Sequence, residues 1–87
     1  MYDFYKRYMK TKAKNKNALV FYRLGDFYEM LGADAETASK ELDLTLTSRD
    51  CGQEERVPMC GVPYHCLDKY VQALIIKGYN VAICEDI

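Results

Sequence analysis

The sequence predicts an α/β (α+β) domain in which a mixed β-sheet is flanked by about three helices. Segments with helical and strand periodicity alternate along the chain, as they do when helices cover a sheet. Hydrophobic residues make up 49% of the chain and charged residues 29%, which is ordinary for a globular protein. The length of 87 residues leaves room for one core. We therefore expect residues 1–87 to form a single domain.

The chain is predicted to open with an amphipathic helix over about residues 2–14, because apolar side chains recur at helical spacing against a lysine-rich face. These apolar side chains are Tyr2, Tyr5, Tyr8 and Met9. Residues 15–17 form a polar turn. Residues 18–24 are nearly continuous in apolar and β-forming types, which is typical of a central strand. Residues 25–26, Gly-Asp, interrupt it, and residues 27–30 continue in extended form or as a second short strand.

A second helix is predicted over residues 33–42, where Ala35, Ala38 and Leu42 recur on one face. Asp34 in its first turn suits the positive end of the helix dipole. Beyond it, alternating Leu and Thr predict a half-buried strand over residues 44–47. The polar, glycine-containing residues 48–56 predict a mobile loop.

The last part of the chain is predicted to form a strand or connector, a helix and a final strand. Two prolines and a glycine favour an edge strand or a tight connector over residues 57–63, and not a central strand. A third helix over about residues 66–77 ends in a glycine cap at Gly78. Its apolar positions are Leu67, Tyr70, Val71, Leu74 and Ile75. Residues 80–84 form the final strand, directly after which the chain stops, so we expect a piece of something longer.

Charge is distributed unevenly along the chain although the net charge is only −1. Residues 1–23 contain seven basic residues and one acidic residue, and the remainder contains five basic and twelve acidic residues. The basic segment could meet phosphates or could be a solvated helix face. The balance excludes a strongly basic domain that binds DNA by electrostatics alone, so any DNA affinity of the isolated chain should be weak.

Cysteine usage and hydropathy indicate a cytoplasmic protein without a membrane span. The N-terminus has no signal-peptide pattern, so the four cysteines are interpreted as reduced thiols. Cys60, His65 and Cys66 do not have the spacing of a zinc site. No run of 18 apolar residues occurs, so no transmembrane helix is expected. We expect no metal and no other cofactor.

The most informative stretch is residues 25–30, Gly-Asp-Phe-Tyr-Glu-Met. In an extended segment Phe27 and Glu29 point to the same face, so an aromatic ring and a carboxylate stand side by side. Phe27 alone could be a core residue, but an acid on the face of a buried ring needs a partner or water. A ring that stacks on or wedges into a flat partner, with a carboxylate that hydrogen-bonds the partner's edge, explains both residues. Nucleic-acid bases are such partners.

Four segments carry a resemblance to a known family. They are residues 21–30 (FYRLGDFYEM), 46–49 (LTSR), 58–65 (PMCGVPYH) and 81–85 (VAICE). In this order they resemble the N-terminal mismatch-recognition domain, domain I, of the MutS family of DNA mismatch repair proteins. The resemblance runs with few gaps from about residue 5 to residue 86, and it implies that the sheet continues by one or two strands beyond residue 87.

The resemblance implies a role for each matching residue. Phe27 would insert from the minor groove and stack on a mispaired base, and Glu29 would hydrogen-bond that base. Glu29 would have to be protonated to bond a purine N7, which is an acceptor, so a raised pKa of Glu29 is predicted in the complex. The family also places Leu24, Tyr28, Arg49 and Met59 near the DNA, with Arg49 as the natural phosphate contact.

Mismatched double-stranded DNA and the other domains of a MutS-type protein are therefore the expected partners. The chain has no G-x-x-x-x-G-K-[ST] motif, so the ATP binding of the full-length family proteins is not expected here and the chain is predicted not to be an enzyme. Two other classes stay open. One is a protein-interaction module that pairs through its sheet edge, for example as a homodimer. The other is a Mg²⁺-dependent nuclease built on Asp26, Glu29 and Glu54 or Glu55.

Overall fold

The computed structural model of the chain describes residues 1–86 and contains a mixed five-stranded sheet with three α-helices. The helices are α1 (Tyr2–Lys14), α2 (Ala33–Leu42) and α3 (Leu67–Ile76). The strands are β1 (Ala18–Leu24), β2 (Phe27–Leu31), β3 (Thr47–Arg49), β4 (Val57–Pro63) and β5 (Asn80–Cys84). The predicted fold class is confirmed, and so are the predicted first and second helices, the first strand and the final strand.

The strands lie in the order β3-β4-β2-β1-β5, so β2 is the middle strand. β1 and β2 form an antiparallel hairpin, and β4 pairs antiparallel with β2 on one side and with β3 on the other. β5 pairs parallel with β1, which makes the sheet mixed. The predicted second short strand is therefore real and lies at the centre of the sheet.

Helix α1 covers one face of the sheet, which we call the α1 face. Phe4 and Tyr8, one helical turn apart, pack on Val20 and Tyr22 of β1. The Phe4 and Tyr22 rings meet edge to face with centroids 5.4 Å apart. The sequence pattern missed Phe4 and wrongly placed Tyr2 and Met9 on the buried side, because the helix turns the i, i+4 pair Phe4/Tyr8 toward the sheet and leaves its neighbours exposed.

Helices α2 and α3 cover the opposite face, which we call the α2–α3 face. Ala35 and Ala38 of α2 are fully buried, as predicted, and their small side chains let the helix approach the sheet closely. Leu67, Val71 and Leu74 of α3 complete this core. Ile75, predicted to be buried, is half exposed because it lies beyond the edge of the stripe that contacts the sheet.

Asp34 has a more specific role than the predicted interaction with the helix dipole. It is buried, its carboxylate accepts a hydrogen bond from the Val20 N–H at 3.0 Å, and it forms an ion pair with Lys12 at 2.9 Å. The Tyr8 hydroxyl lies 3.2 Å from the same carboxylate and 2.6 Å from the Val20 carbonyl oxygen. Burial and the neighbouring carboxylate raise the pKa of Tyr8. Asp34 thus ties α1, β1 and α2 together.

The predicted strand over residues 44–47 was misplaced, since β3 covers Thr47–Arg49. Asp43 takes a left-handed conformation at the end of α2, and the Leu44 N–H donates to the Ser39 carbonyl at 2.9 Å. Leu44 therefore completes the helix end and packs against the α2–α3 core instead of pairing in the sheet. The predicted loop over residues 48–56 was wrong for Ser48 and Arg49, and it also contains the fully buried Cys51.

The prediction of an edge strand or connector over residues 57–63 was also wrong, because β4 has a strand on each side. Neither of its prolines lies where a backbone N–H would be needed for a hydrogen bond to β3. The Pro58 carbonyl accepts from the Gly32 N–H at 2.8 Å, and the N–H and C=O of one strand residue point the same way. The missing donor of Pro58 therefore faces the end of β2 and not β3. Pro63 lies opposite Phe27, beyond the part of β4 that β3 reaches.

Helix α3 begins slightly later than predicted, since a short 3₁₀ turn covers Tyr64–Cys66 before it. The predicted glycine cap is present, because Gly78 has a φ of +94° just after the last helical turn. Among residues 1–86, none of the helices has the length and apolar character that crossing a bilayer requires.

Candidate functional site

The residues singled out in the sequence fall mainly on one strip of the α1 face. Along β2, residues of one parity, Tyr28 and Met30, enter the α2–α3 core, and Leu31 of the other parity packs under α1. Phe27 and Glu29 share the parity of Leu31 and therefore stand on the α1 face. We use the name α1-face strip for five residues of β1 to β4: Leu24, Phe27, Glu29, Arg49 and Met59.

Phe27 is exposed because it follows the hairpin turn at the end of the sheet. Leu24 and Phe27 face each other across a two-residue turn whose first residue, Gly25, has a φ of +62°. Such turns need a positive φ that glycine adopts without strain. Arg23 fastens the turn by donating from Nε to the Gly25 carbonyl at 2.5 Å. Phe27 is 43% exposed at the end of this hairpin.

Glu29 lies two residues further along, toward the middle of the sheet, and is half buried. Its partner in the β2–β4 register is Gly61, and the carboxylate occupies the space above that glycine. A Cβ atom on Gly61 would lie 2.6 Å from Glu29 Cδ. Burial raises the pKa of Glu29 above its ordinary value, and the positive charge of Arg49 opposes that shift. A neutral, hydrogen-donating carboxyl is therefore easier to form here than at an exposed glutamate.

Arg49 reaches the same face from β3. It is opposite Val57, which packs under α1, and directly opposed residues of an antiparallel pair share a face. Its guanidinium donates to Thr47 Oγ1 at 3.2 Å and to the Ser48 carbonyl at 2.9 Å. These bonds hold an exposed positive charge at the edge of the strip.

Leu24 and Met59 form the apolar backing of the strip. Both pack with the cluster under α1, Met59 as a buried residue and Leu24 as a half-buried one. Leu24 is the cross-strand partner of Phe27, and Met59 is the partner of Leu31.

Tyr28 is the predicted site residue that the structure separates from the others. It is 5% exposed and lies on the α2–α3 face, because adjacent strand residues point to opposite faces. Its hydroxyl donates to the Glu85 carboxylate, which raises the pKa of Tyr28, and the Arg23 guanidinium lies 5.5 Å from its ring centroid. Tyr28 therefore anchors the hairpin from the α2–α3 face.

Sequence reasoning missed the relationship between Gly61 and Glu29. A glycine inside a strand is itself a signal of close approach by another group. The pairing of residues 29 and 61 could not be read from the sequence, because β4 was not predicted to lie beside β2.

Most basic side chains of the N-terminal segment that could meet phosphates remain accessible, but some are neutralised. Arg7 pairs with Asp86 at 3.2 Å and Arg23 with Glu85 at 3.6 Å, while Lys12 is held by Asp34. Within residues 1–86, Lys10 and Lys14 form no ion pair and lie exposed on α1. The N-terminal segment therefore has fewer unpaired positive charges than its number of basic residues suggests.

The cysteines are free thiols: Cys51 and Cys60 are buried, and Cys66 and Cys84 are half-buried. No group of three or more His, Cys, Asp or Glu side chains in the described part of the chain is arranged to hold a metal ion. The acidic residues considered for a Mg²⁺ site are therefore not gathered into one within residues 1–86.

Comparison with known proteins identifies the family. Residues 3–87 match the family model described as MutS domain I. The chain is 58% identical over 82 residues to a DNA mismatch repair protein MutS from Clostridium novyi, which covers 94% of this chain and 9% of that protein. It is 59% identical over 81 residues to proteins of the same name from Acetivibrio thermocellus and Bacillus licheniformis, with 93% of this chain and 9% of each relative covered. The chain thus spans about a tenth of the length of these curated relatives, and it belongs to the MutS domain I family.

Proposed function

We propose that this chain recognises mismatched base pairs in double-stranded DNA, as the recognition part of a MutS-type mismatch repair protein. The observation that carries the proposal is the exposed Phe27 ring beside the half-buried Glu29 carboxyl on one strip of a MutS domain I fold. The relatives' name, DNA mismatch repair protein MutS, supports the same role.

Phe27 acts as a wedge that opens the DNA duplex at a mismatch. Inserting an apolar side chain between base steps costs a few kcal/mol of unstacking. That cost is lowest where the bases are already poorly paired, and stacking on an aromatic ring returns about 1–3 kcal/mol per base. A wedge therefore selects weak steps without reading sequence. The hairpin turn before Phe27 suits this use, because a backbone that is already ordered loses little conformational entropy when the ring inserts.

Glu29 bonds the edge of the base that Phe27 stacks on. As a carboxylate it accepts a hydrogen bond from a pyrimidine N–H, and as a neutral carboxyl it donates to a purine N7. The raised pKa of Glu29 in the free chain supports the second mode, since part of the cost of protonation is already met by burial over the sheet.

The remaining strip residues assist these two. Arg49 contacts a phosphate with its exposed guanidinium, and Leu24 and Met59 lie near the DNA as apolar residues of the same face. Tyr28 acts from the opposite face by anchoring the hairpin to Glu85, so its contribution is to position the strand.

The chain is proposed to bind and not to catalyse, because the phosphate-binding motif of the family's ATPase is absent from its sequence. Other domains of the longer protein supply most of the nonspecific grip on DNA and are its partners. The four free thiols fit a cytoplasmic location.

An interaction module that pairs through its sheet edge is the second candidate. β5 is the last strand of the sheet within residues 1–86, and Ile83 on it is exposed. A second copy or a neighbouring domain that extends the sheet would use this edge. A stable dimer in a solution mass measurement, together with no affinity for either duplex below, would favour this candidate.

Fluorescence anisotropy tests the mismatch proposal. A short duplex with one G·T mismatch is compared with its fully paired twin at low salt, because phosphate contacts weaken steeply as salt rises. We expect tighter binding of the mismatched duplex, and no such difference for Phe27→Ala. Equal binding of the two duplexes by the wild-type chain would contradict the proposal, and binding of neither would mean that recognition needs other parts of a longer protein.

A further inference from the structure

We propose that Gly61 is a positioning residue for Glu29, because the absence of a side chain on β4 lets the Glu29 carboxyl lie down against the sheet beside Phe27. The position of the Glu29 carboxyl is argued from geometry alone. Its use, the bond to a base, rests on the proposed function.

The two cross-strand neighbours of Glu29 differ sharply in size. On β1 its partner is Tyr22, a large ring that packs under α1, and on β4 its partner is Gly61. Directly opposed side chains of an antiparallel pair lie close together on one face. The Glu29 side chain therefore leans toward β4, where its carboxyl fills the space that any other residue would use for its own Cβ atom.

The backbone gives no other reason for a glycine here. The chain has five glycines, and Gly25, Gly32, Gly52 and Gly78 all have positive φ angles. Gly61 alone among them does not, so its strand conformation is open to any residue. A glycine inside a strand weakens it and commonly marks a place where another group comes close. At Gly61 that group is the carboxyl of Glu29, with Cδ 2.6 Å and Oε2 2.9 Å from the Cβ position.

The surroundings of the carboxyl fit a group held at the sheet surface. The positive charge of Arg49 on β3 opposes the effect of burial on its pKa. Tyr22 beside it donates its hydroxyl to Asp86 at 2.6 Å, and this bond raises the pKa of Tyr22 to about 12. Burial, with a contribution from Glu29, raises the pKa of the Cys60 thiol to about 11. Tyr22 and Cys60, which lies on the opposite face, are both neutral near pH 7 and bring no charge to the carboxyl, while burial raises the pKa of Glu29.

Substitution of Gly61 by alanine should move Glu29 without unfolding the sheet. The atoms that a new Cβ would meet belong to the free end of the Glu29 side chain, which can rotate toward solvent. The carboxyl would then be hydrated, and it would no longer lie against the β4 backbone beside Phe27.

Carbon-detected NMR titration of the side-chain carboxyls in the 87-residue chain tests the position without DNA. We expect the pKa of Glu29 in Gly61→Ala to fall toward its ordinary value, with the amide spectrum of α2 and α3 unchanged. A folded Gly61→Ala chain in which Glu29 titrates as in the wild type would overturn the proposal. Should the variant not fold, nuclear Overhauser contacts between the Glu29 γ-protons and the Gly61 α-protons in the wild type decide: their presence supports the position and their absence overturns it.

Duplex binding then tests how the position is used. Gly61→Ala should lose mismatch preference to the level of Glu29→Ala, and it should lose nothing further when the two substitutions are combined, since both act through one carboxyl. An additional loss in the double variant would show that Gly61 acts by another route and would overturn the proposal. If the pKa moves as expected while Glu29→Ala keeps the wild-type preference, the positioning role stands and the proposed role of Glu29 fails.

Discussion

Arg49 on β3 and Glu29 on β2 act on each other across β4, although the two strands do not touch. Both side chains lie on the α1 face, and the Arg49 charge lowers the pKa of Glu29 that burial raises. The pKa of the carboxyl at the proposed base contact is therefore subject to two opposing influences, burial at the sheet surface and the positive charge of Arg49.

Removal of the Arg49 charge should raise the pKa of Glu29 further, because only the burial effect then remains. Arg49→Gln is the variant, and NMR titration of the Glu29 carboxyl is the measurement. Arg56→Gln is the matched control, since it removes a second arginine that binds Ser48 at the same edge. A fall in the Glu29 pKa in Arg49→Gln would contradict the interaction.

Glu29 should make the chain less stable as pH rises. Its pKa in the folded chain is raised above the ordinary value of 4.5, so ionisation costs more in the folded state than in the unfolded state. The free energy of unfolding of the wild type, taken relative to Glu29→Gln, should be highest below pH 4.5 and should fall as pH rises through the folded-state pKa. Urea unfolding at a series of pH values measures it. A relative stability that increases over this range would show that the carboxylate is stabilised in the fold.

Mismatch binding should depend on pH when the contacted base is a purine. A bond to N7 needs the protonated form of Glu29, so affinity should weaken as pH rises above the Glu29 pKa in the complex. Glu29→Gln carries an amide donor at every pH and should show a flat profile. Anisotropy titrations across pH compare the two. Parallel profiles for the wild type and Glu29→Gln would exclude a donating carboxyl.

Asp34→Ala should destabilise the fold by about 2–4 kcal/mol, because the buried Val20 N–H loses its acceptor and Lys12 loses its partner. Glu36→Ala is the control, as Glu36 is an exposed acid in the same first turn of α2 and its dipole interaction is worth about 0.3–1 kcal/mol. Denaturant midpoints report both. Equal losses in the two variants would mean that the Asp34 network contributes little.

The sequence predicted most of the helices and strands because their periodicity and caps are local properties. The prediction for β4 was wrong because prolines are rare in interior strands. Here neither proline removes a hydrogen bond of the sheet, because β2 and β3 end before they would need one, and the sequence does not show where those strands end. It placed β3 too early because the Leu44 N–H is used by the end of α2, which pattern alone does not reveal.

The candidate site was predictable to a similar degree. Phe27 and Glu29 share a face, as two-residue spacing requires, and Arg49 joins them. Tyr28 was grouped with them by resemblance, yet strand alternation turns it to the opposite face. The use of Gly61 needed the β2–β4 register, which only the fold supplies.

The most direct test of the proposed function is whether Phe27 inserts into the DNA duplex at a mismatch. A duplex with 2-aminopurine beside a G·T mismatch reports unstacking by an increase in fluorescence, at low salt and saturating protein. We predict an increase with the wild type and with Tyr2→Ala, which removes a comparably exposed ring from α1, but none with Phe27→Ala at saturation. An increase of the same size with bound Phe27→Ala would contradict insertion of this ring.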